Sequence, residues 1–380
     1  MYSETIKFIK SLYPNQNPVP LHAPVFLGKE KEYLNECIDT TFVSYVGKFV
    51  TKFEEMTAQY TGAKYAVAVV NGTAALQIAL QVAGIGDGDE VITQPLTFVA
   101  TANAISHTGA KPVFVDVDME TMGLSPEKLS EFLKQNGEIK QDYCLNKVTG
   151  RKIKAIVPMH TFGFPCRIEE IVEIADNYHI AVIEDAAESL GSFYKGKHTG
   201  TFGLAGILSY NGNKTVTTGG GGMIITDNEE LARKAKHLTT TGKIPHRWEY
   251  KHDIIAYNYR MTNLNAAIGV AQMEYFDRIL KSKKETTNLY REYFCNTDIK
   301  FFTAPKDTVA NYWLNVIQLK DKADRNDFLE YSNSNGVMTR PIWCLMDNLK
   351  MYTNCMKGNL DNSRWLEDRV INIPSGYRKI

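Results

Sequence analysis

KYAVAVVNGTAALQIALQVAG, residues 64–84, changes its apolar period part-way along. Its first seven residues form a short, nearly continuous apolar run, the pattern of a strand buried on both faces. From Asn71 onward the apolar residues recur at helical spacing, and Gly72 and Thr73 open that helix. A buried strand handing directly to a helix is the repeating unit of a parallel sheet covered on both sides. The same exchange recurs downstream. Strands are expected in DEVITQP, KPVFVDVD, KIKAIVPMH, IAVIEDAA, LAGILSYN and GGMIITD, and helices in TFVATANAISHTG, RIEEIVEIADNYH and NEELARKAKHL. Residues 262–295 read as one long helical stretch, followed by the strand YWLNVIQL, the helix DRNDFLEYSNSNG and the strand VMTRPIW. The expected architecture is α/β. A large, mostly parallel sheet domain with its N-terminal segment covers residues 1–260, and residues 261–380 hold a linking long helix and a small α+β domain.

The totals exclude several classes of function. The chain has 380 residues, 43 Lys and Arg against 43 Asp and Glu, and a formal net charge of +0. That balance gives no reason to expect a nucleic acid or an anionic membrane as partner. No window holds the roughly 18 apolar residues of a membrane span. The opening stretch MYSETIKFIKSLYPNQNP lacks the apolar core of a signal peptide and reads as a short helix and a turn. Six scattered cysteines with no CxxC pair argue against a zinc site, a metal centre or a disulfide framework, and fit a reducing cytoplasm. GNKT mimics a phosphate loop, but Asn213 separates Gly212 from Lys214 and the spacing fails.

Ligands of such folds collect outside the carboxyl ends of the strands, where Gly72, Thr73, Asp185 and Ser209 all fall. Nearby, SYNGNKTVTTGGGGMIIT, residues 209–226, sets Lys214 just before four consecutive glycines. Taken alone, Lys214 reads as a solvated loop lysine. A lysine that forms a Schiff base must lie near an aldehyde and partly out of water. Pyridoxal phosphate is the aldehyde cofactor that fits, and it makes further demands. Its phosphate needs a helix N-terminus, which Gly72 and Thr73 supply, with Ser209 as a further contact. Its ring needs a flat or apolar neighbour, for which Phe98 and Ala187 are candidates on opposite faces. Its ring nitrogen needs a carboxylate, and Glu184 and Asp185 end an apolar strand. Glu188 is within reach of the ring hydroxyl. Each residue has a bland alternative in a cap, a core ring or a loop acid, but the demands are met together and in chain order.

The stretches NGTAAL, PLTFVATANA, KPVFVDVD, PMHTFGFP, IEDAAESLGS, LSYNGNKTVTTGGGGMI and IAYNYRMTNLNAAIGVAQME resemble the pyridoxal-phosphate-dependent sugar aminotransferases of the DegT/DnrJ/EryC/StrS family. The resemblance implies a fold type I transferase, similar to aspartate aminotransferase, with Lys214 as Schiff-base lysine and Asp185 as partner of the ring nitrogen. It implies Gly72, Thr73 and Ser209 at the phosphate, Phe98 stacked on the ring and Glu188 near the hydroxyl. Asn258, in YNYR, resembles an asparagine that reaches the phosphate of the neighbouring subunit, which implies a homodimer with shared sites. The N-terminal stretch resembles the branch making legionaminic acid and bacillosamine-type precursors. That branch aminates the 4-keto carbon of a nucleotide-linked 2-acetamido-2,6-dideoxy sugar, with L-glutamate as donor. Substrate contacts are then expected from Phe42, Ser44, Lys48, His160, His246, Arg247, Arg340 and Trp343. The alternatives are a member aminating a 3-keto or non-acetamido (perosamine-type) nucleotide sugar, and a non-catalytic regulator on the same fold. A dehydratase branch is disfavoured because it carries histidine in place of the lysine.

Overall fold

The computed structural model describes residues 2–378. Met1 and residues 379–380, the extreme ends of the two expected domains, lie outside them. The large unit is built on a nine-stranded sheet whose main path runs through the strands Tyr65–Val69, Gly222–Thr226, Ala205–Ser209, Ala181–Asp185, Lys152–Val157, Glu90–Thr93 and Lys111–Phe114. The last five pair in parallel, while Gly222–Thr226 runs antiparallel to both of its neighbours. Successive strand residues enter different cores, as a period of two requires. Val91, Ala155, Val157 and Ile183 join one cluster, whereas Ile92, Ile156 and Val182 join another on the opposite face. Both faces are buried, which is why these strands read as unbroken apolar runs.

The helices begin where the sequence supplies caps. Asn71 accepts a hydrogen bond from the Ala74 amide at 2.8 Å and starts the helix Gly72–Val82. Ser125, Asn228, Thr262 and Asp321 cap later helices in the same way. Each such cap contributes about 1 kcal/mol.

Two expectations need correction. Residues 262–295 form two helices, Asn263–Met273 and Phe276–Phe294, rather than one. The first packs its buried Ala266, Ala267 and Val270 with Phe49, Val50 and Phe53 of the helix Lys48–Thr61, so the large unit extends past residue 260. The N-terminal segment also changes sides. Ile6, Ile9 and Leu12 of the helix Tyr2–Leu12 share a core with Tyr290, Phe294, Ile317 and Phe328. That core lies against the four-stranded sheet of the small unit. The helix spacing places Ile6 and Ile9 on one stripe, but an apolar stripe does not say which surface it will meet.

Candidate active site

Sheet register brings the sequence-separated candidates to one edge. Ile207 lies opposite Asp185, Ser209 opposite Gly222, and Gly222 opposite Val69. The chain leaving Val69 therefore turns into the helix Gly72–Val82 directly beside Ser209. This crossing leaves no room for side chains. A Cβ on Gly222 would stand 2.4 Å from the Asn71 carbonyl, and one on Gly72 would stand 3.2 Å from the Ser209 Cβ. Asn71 caps the Ala74 amide, so the amides of Gly72 and Thr73 have no partner among the described residues. Free amides at a helix N-terminus beside a serine hydroxyl form an anion site.

Gly72, Thr73, Phe98, Asp185, Ala187, Glu188, Ser209, Lys214 and Trp343 all line one cleft of about 320 Å3. Asp185 ends its strand almost fully buried. Its carboxylate accepts hydrogen bonds from the Thr101 hydroxyl at 2.7 Å and the Ala187 amide at 3.2 Å. Burial raises its proton affinity above the ordinary carboxylate value, while Thr101, Ala187 and Lys214 pull the other way. A positively polarised N–H across the cleft is the partner such a carboxylate favours.

Lys214 projects into the cleft with its Nζ 3.1 Å from Glu188 Oε1 and 3.8 Å from the centroid of the Trp313 ring. Glu188 is buried, and burial pushes it up to about 7 against the opposing pull of Lys214 and the Phe162 amide. That amide donates to Glu188 Oε2 at 2.9 Å from a residue held at φ 56. Non-glycine backbone in this region stores strain and recurs at functional sites. Phe98 stays 50% exposed, so one face of its ring is open to the cleft. Among the described residues, no group of His, Cys, Asp or Glu is placed to hold a metal. A free-amide cradle, an open aromatic face, a buried carboxylate and a lysine together fit pyridoxal phosphate in size and in chemistry.

The family model of the DegT/DnrJ/EryC1/StrS aminotransferases matches residues 27–378. The chain belongs to this aminotransferase family. It is 39% identical over 359 residues to a GDP-perosamine synthase of Escherichia coli O157:H7, across 94% of this chain and 93% of that one. It is 36% identical over 362 residues to a GDP-perosamine synthase of Vibrio cholerae, covering 94% of each. Among solved structures it resembles a DegT DnrJ EryC1 StrS aminotransferase from Brucella abortus, with a TM-score of 0.83 and 25% identity over 91% of this chain and 90% of that one. The protein is thus a pyridoxal-phosphate-dependent sugar aminotransferase of fold type I.

The substrate-side candidates of the aminotransferase fare differently. Trp343 is in the cleft, 4.7 Å from the Phe162 ring and 6.2 Å from the Phe98 ring. His160 is not, because it is fully buried behind the strand ends. Its Nε2 lies 3.0 Å from Glu184, and its Nδ1 accepts from the Cys166 amide. Glu184 also accepts from the amides of Gly200, Phe202 and Gly203. Burial opposes its ionisation, but His160 and the Gly200 and Gly203 amides outweigh burial and hold it below the ordinary carboxylate value. Glu184 is therefore a structural anchor, and Asp185 faces the cleft. Arg340 is exposed and bonded within the small unit to Asn333 and the Thr339 carbonyl, away from the cleft. Phe42, Ser44 and Lys48 lie on an exposed segment tied by Asn263 to the Phe42 and Ser44 carbonyls, and Lys48 pairs with Glu36. His246, Arg247 and Asn258 are exposed and outside the lining of this cleft. Thr101 and Trp313 escaped the sequence reading. Thr101 carries a weak signal, a threonine in the first turn after Phe98, whereas Trp313 carries none, since it reaches the cleft from the small unit.

Proposed function

We propose that this aminotransferase moves the amino group of L-glutamate onto the keto carbon of a nucleotide-linked 4-keto sugar, making a perosamine-type amino sugar. The observation that carries the reading is Lys214, held between Glu188 and the Trp313 ring within the cleft that Asp185 also lines. When bound, pyridoxal phosphate supplies an aldehyde for amine exchange and a ring that accepts electrons. In this reading Lys214 Nζ is the cofactor's anchoring amine and the base that takes and returns the substrate proton. Asp185 meets the ring nitrogen, and Thr101 fixes the carboxylate in that direction. Gly72, Thr73 and Ser209 bind the phosphate, Phe98 packs on the ring with Ala187 opposite, and Glu188 stands near the ring hydroxyl. Glu188 and the indole also keep water from one side of Lys214.

The perosamine-type reading takes precedence over the 2-acetamido sugar of the legionaminic and bacillosamine branch. Its support is that the relatives quoted above match nearly the whole chain and are named GDP-perosamine synthases. A homodimer also belongs to the proposal. Its support is exposed apolar surface on two segments, with Phe42, Val43 and Val46 on one and Trp248, Tyr250 and Ile255 on the other. Asn258, exposed next to the second, is suited to reach a neighbour's phosphate, and Phe42, Ser44, Lys48, His246 and Arg247 to reach its sugar. Sedimentation of the active protein at the mass of one chain would contradict this part.

The experiment is a panel of GDP- and UDP-linked 4-keto sugars, with and without the 2-acetamido group, offered with L-glutamate while 2-oxoglutarate is followed. The reading expects at least a tenfold higher kcat/KM for the GDP-linked sugar lacking the acetamido group. A preference for the acetamido sugar would restore the other branch.

A further inference from the structure

Lys283 lies on the helix Phe276–Phe294 and is 1% exposed, among the most buried side chains of the molecule. Its Nζ donates to two backbone carbonyls, Ser375 at 2.7 Å and Trp313 at 3.2 Å, and no carboxylate among the described residues pairs with it. Burying an ammonium this way is costly, and burial pulls its pKa down to about 7. A methionine or leucine would fill the same space without that cost. What the lysine supplies instead is a fixed position for the Trp313 backbone.

That position matters because Trp313 reaches across to Lys214. The indole Nε1 donates to the Asn213 carbonyl at 2.7 Å, the peptide immediately preceding Lys214. The indole face stands 3.8 Å over the Lys214 Nζ. Asn311 reinforces the arrangement, accepting from the Trp313 amide at 2.7 Å and donating to the Glu188 carbonyl at 2.8 Å. His22 lies close enough to Lys283 and Lys214 for both to act on it, and its Nδ1 has no partner among the described residues. Burial and then the two lysines hold its ring neutral, well below the usual histidine value.

We propose that Trp313 is a positioning residue for Lys214, clamping both its turn and its amine, and that Lys283 holds Trp313 in register from within the small unit. The proposal rests on Lys214 being the cofactor lysine. Proton transfer and amine exchange at Nζ both depend on its direction, and an ångström of misplacement costs about a hundredfold in rate. A ring face at this distance also attracts an ammonium, so the free lysine is kept aimed between the indole and Glu188.

The test uses full-length Trp313→Ala, Trp313→Phe and Lys283→Met proteins beside the wild type. Two quantities are read: the rate at which cofactor-free protein gains visible absorbance on mixing with pyridoxal phosphate, and kcat with KM for L-glutamate. Trp313→Ala is expected to slow cofactor capture and lower kcat by tenfold or more, with KM changed less than threefold. Trp313→Phe keeps a ring but loses the Asn213 bond, so a several-fold loss is expected. Lys283→Met, with no contact to the cleft, should reproduce the phenylalanine variant. Should Trp313→Ala fail to fold, the phenylalanine variant decides. Folded variants with wild-type capture and wild-type kcat overturn the proposal. So does a Lys283→Met protein that melts earlier but captures cofactor normally, because Lys283 would then be a tie within the small unit alone. A wild type that gains no absorbance overturns the lysine reading itself, whereas a yellow wild type with indifferent variants overturns only this inference.

Discussion

Glu188 shows how far a single residue can be read from sequence. Its place three residues after Asp185 put it near the cofactor, but nothing in IEDAAES revealed that it would be buried against Lys214 and the Phe162 amide. His160 shows the opposite error. The family resemblance put it among the substrate contacts, yet long-range packing buried it against Glu184. Both outcomes depend on atoms distant in sequence. The Glu188 environment has a measurable consequence. The folded chain holds its proton up to about 7, against 4.5 for an unshielded glutamate. A raised carboxylate contributes stability that is complete below pH 4.5 and is lost as pH rises through 7. By linkage that loss is about 3 kcal/mol, from roughly 1.4 kcal/mol per unit of pKa. In urea unfolding of cofactor-free protein, the stability of the wild type relative to Glu188→Gln should fall by about that amount between pH 4.5 and 7. A difference that stays flat across this window would contradict the burial-driven account.

At the scale of elements, the passage from strand to helix at residues 64–84 was legible, because a nearly continuous apolar run gives way to helical spacing within a few residues. The crossing of Gly72 over Ser209 was not, since it depends on the register of Gly222 between two other strands. The register explains why glycine stands there and predicts its replacement. Gly72→Ala would place a Cβ 3.2 Å from the Ser209 Cβ, in the space proposed for the phosphate. The helix should survive, because alanine is the better helix former by about 1 kcal/mol. Cofactor affinity should fall tenfold or more, read as the midpoint of an absorbance titration with pyridoxal phosphate. Unchanged affinity would mean that the phosphate lies elsewhere. The break between the helices Asn263–Met273 and Phe276–Phe294 was hidden for a plain reason. No proline or glycine marks it, and Glu274 and Tyr275 fit a continuous helical pattern.

At the scale of the molecule, chain order suggested a large unit first and a small one second. The structure interleaves them, since the helix Tyr2–Leu12 completes the core of the small unit. Trp313, from that same unit, packs over Lys214 of the large one. Sequence periodicity finds elements and their buried faces, but it does not say which faces meet. That is why Asp185, Lys214 and the helix start at Gly72 and Thr73 were legible as a set, while Thr101, Trp313 and Lys283 were not. The former share one sheet edge and one local pattern, whereas the latter are brought in by packing between elements. Among the described residues no helix is long and apolar enough to cross a membrane.

The central claim is that Lys214 is the amine through which this aminotransferase works. The most direct measurement is the visible absorbance of the cofactor-free protein mixed with pyridoxal phosphate and then with L-glutamate, in wild type and in Lys214→Ala. The account predicts a yellow band in the wild type that bleaches on adding glutamate, and no protein-bound band in the variant. A band of equal strength in Lys214→Ala, or a wild type that stays colourless, would contradict it.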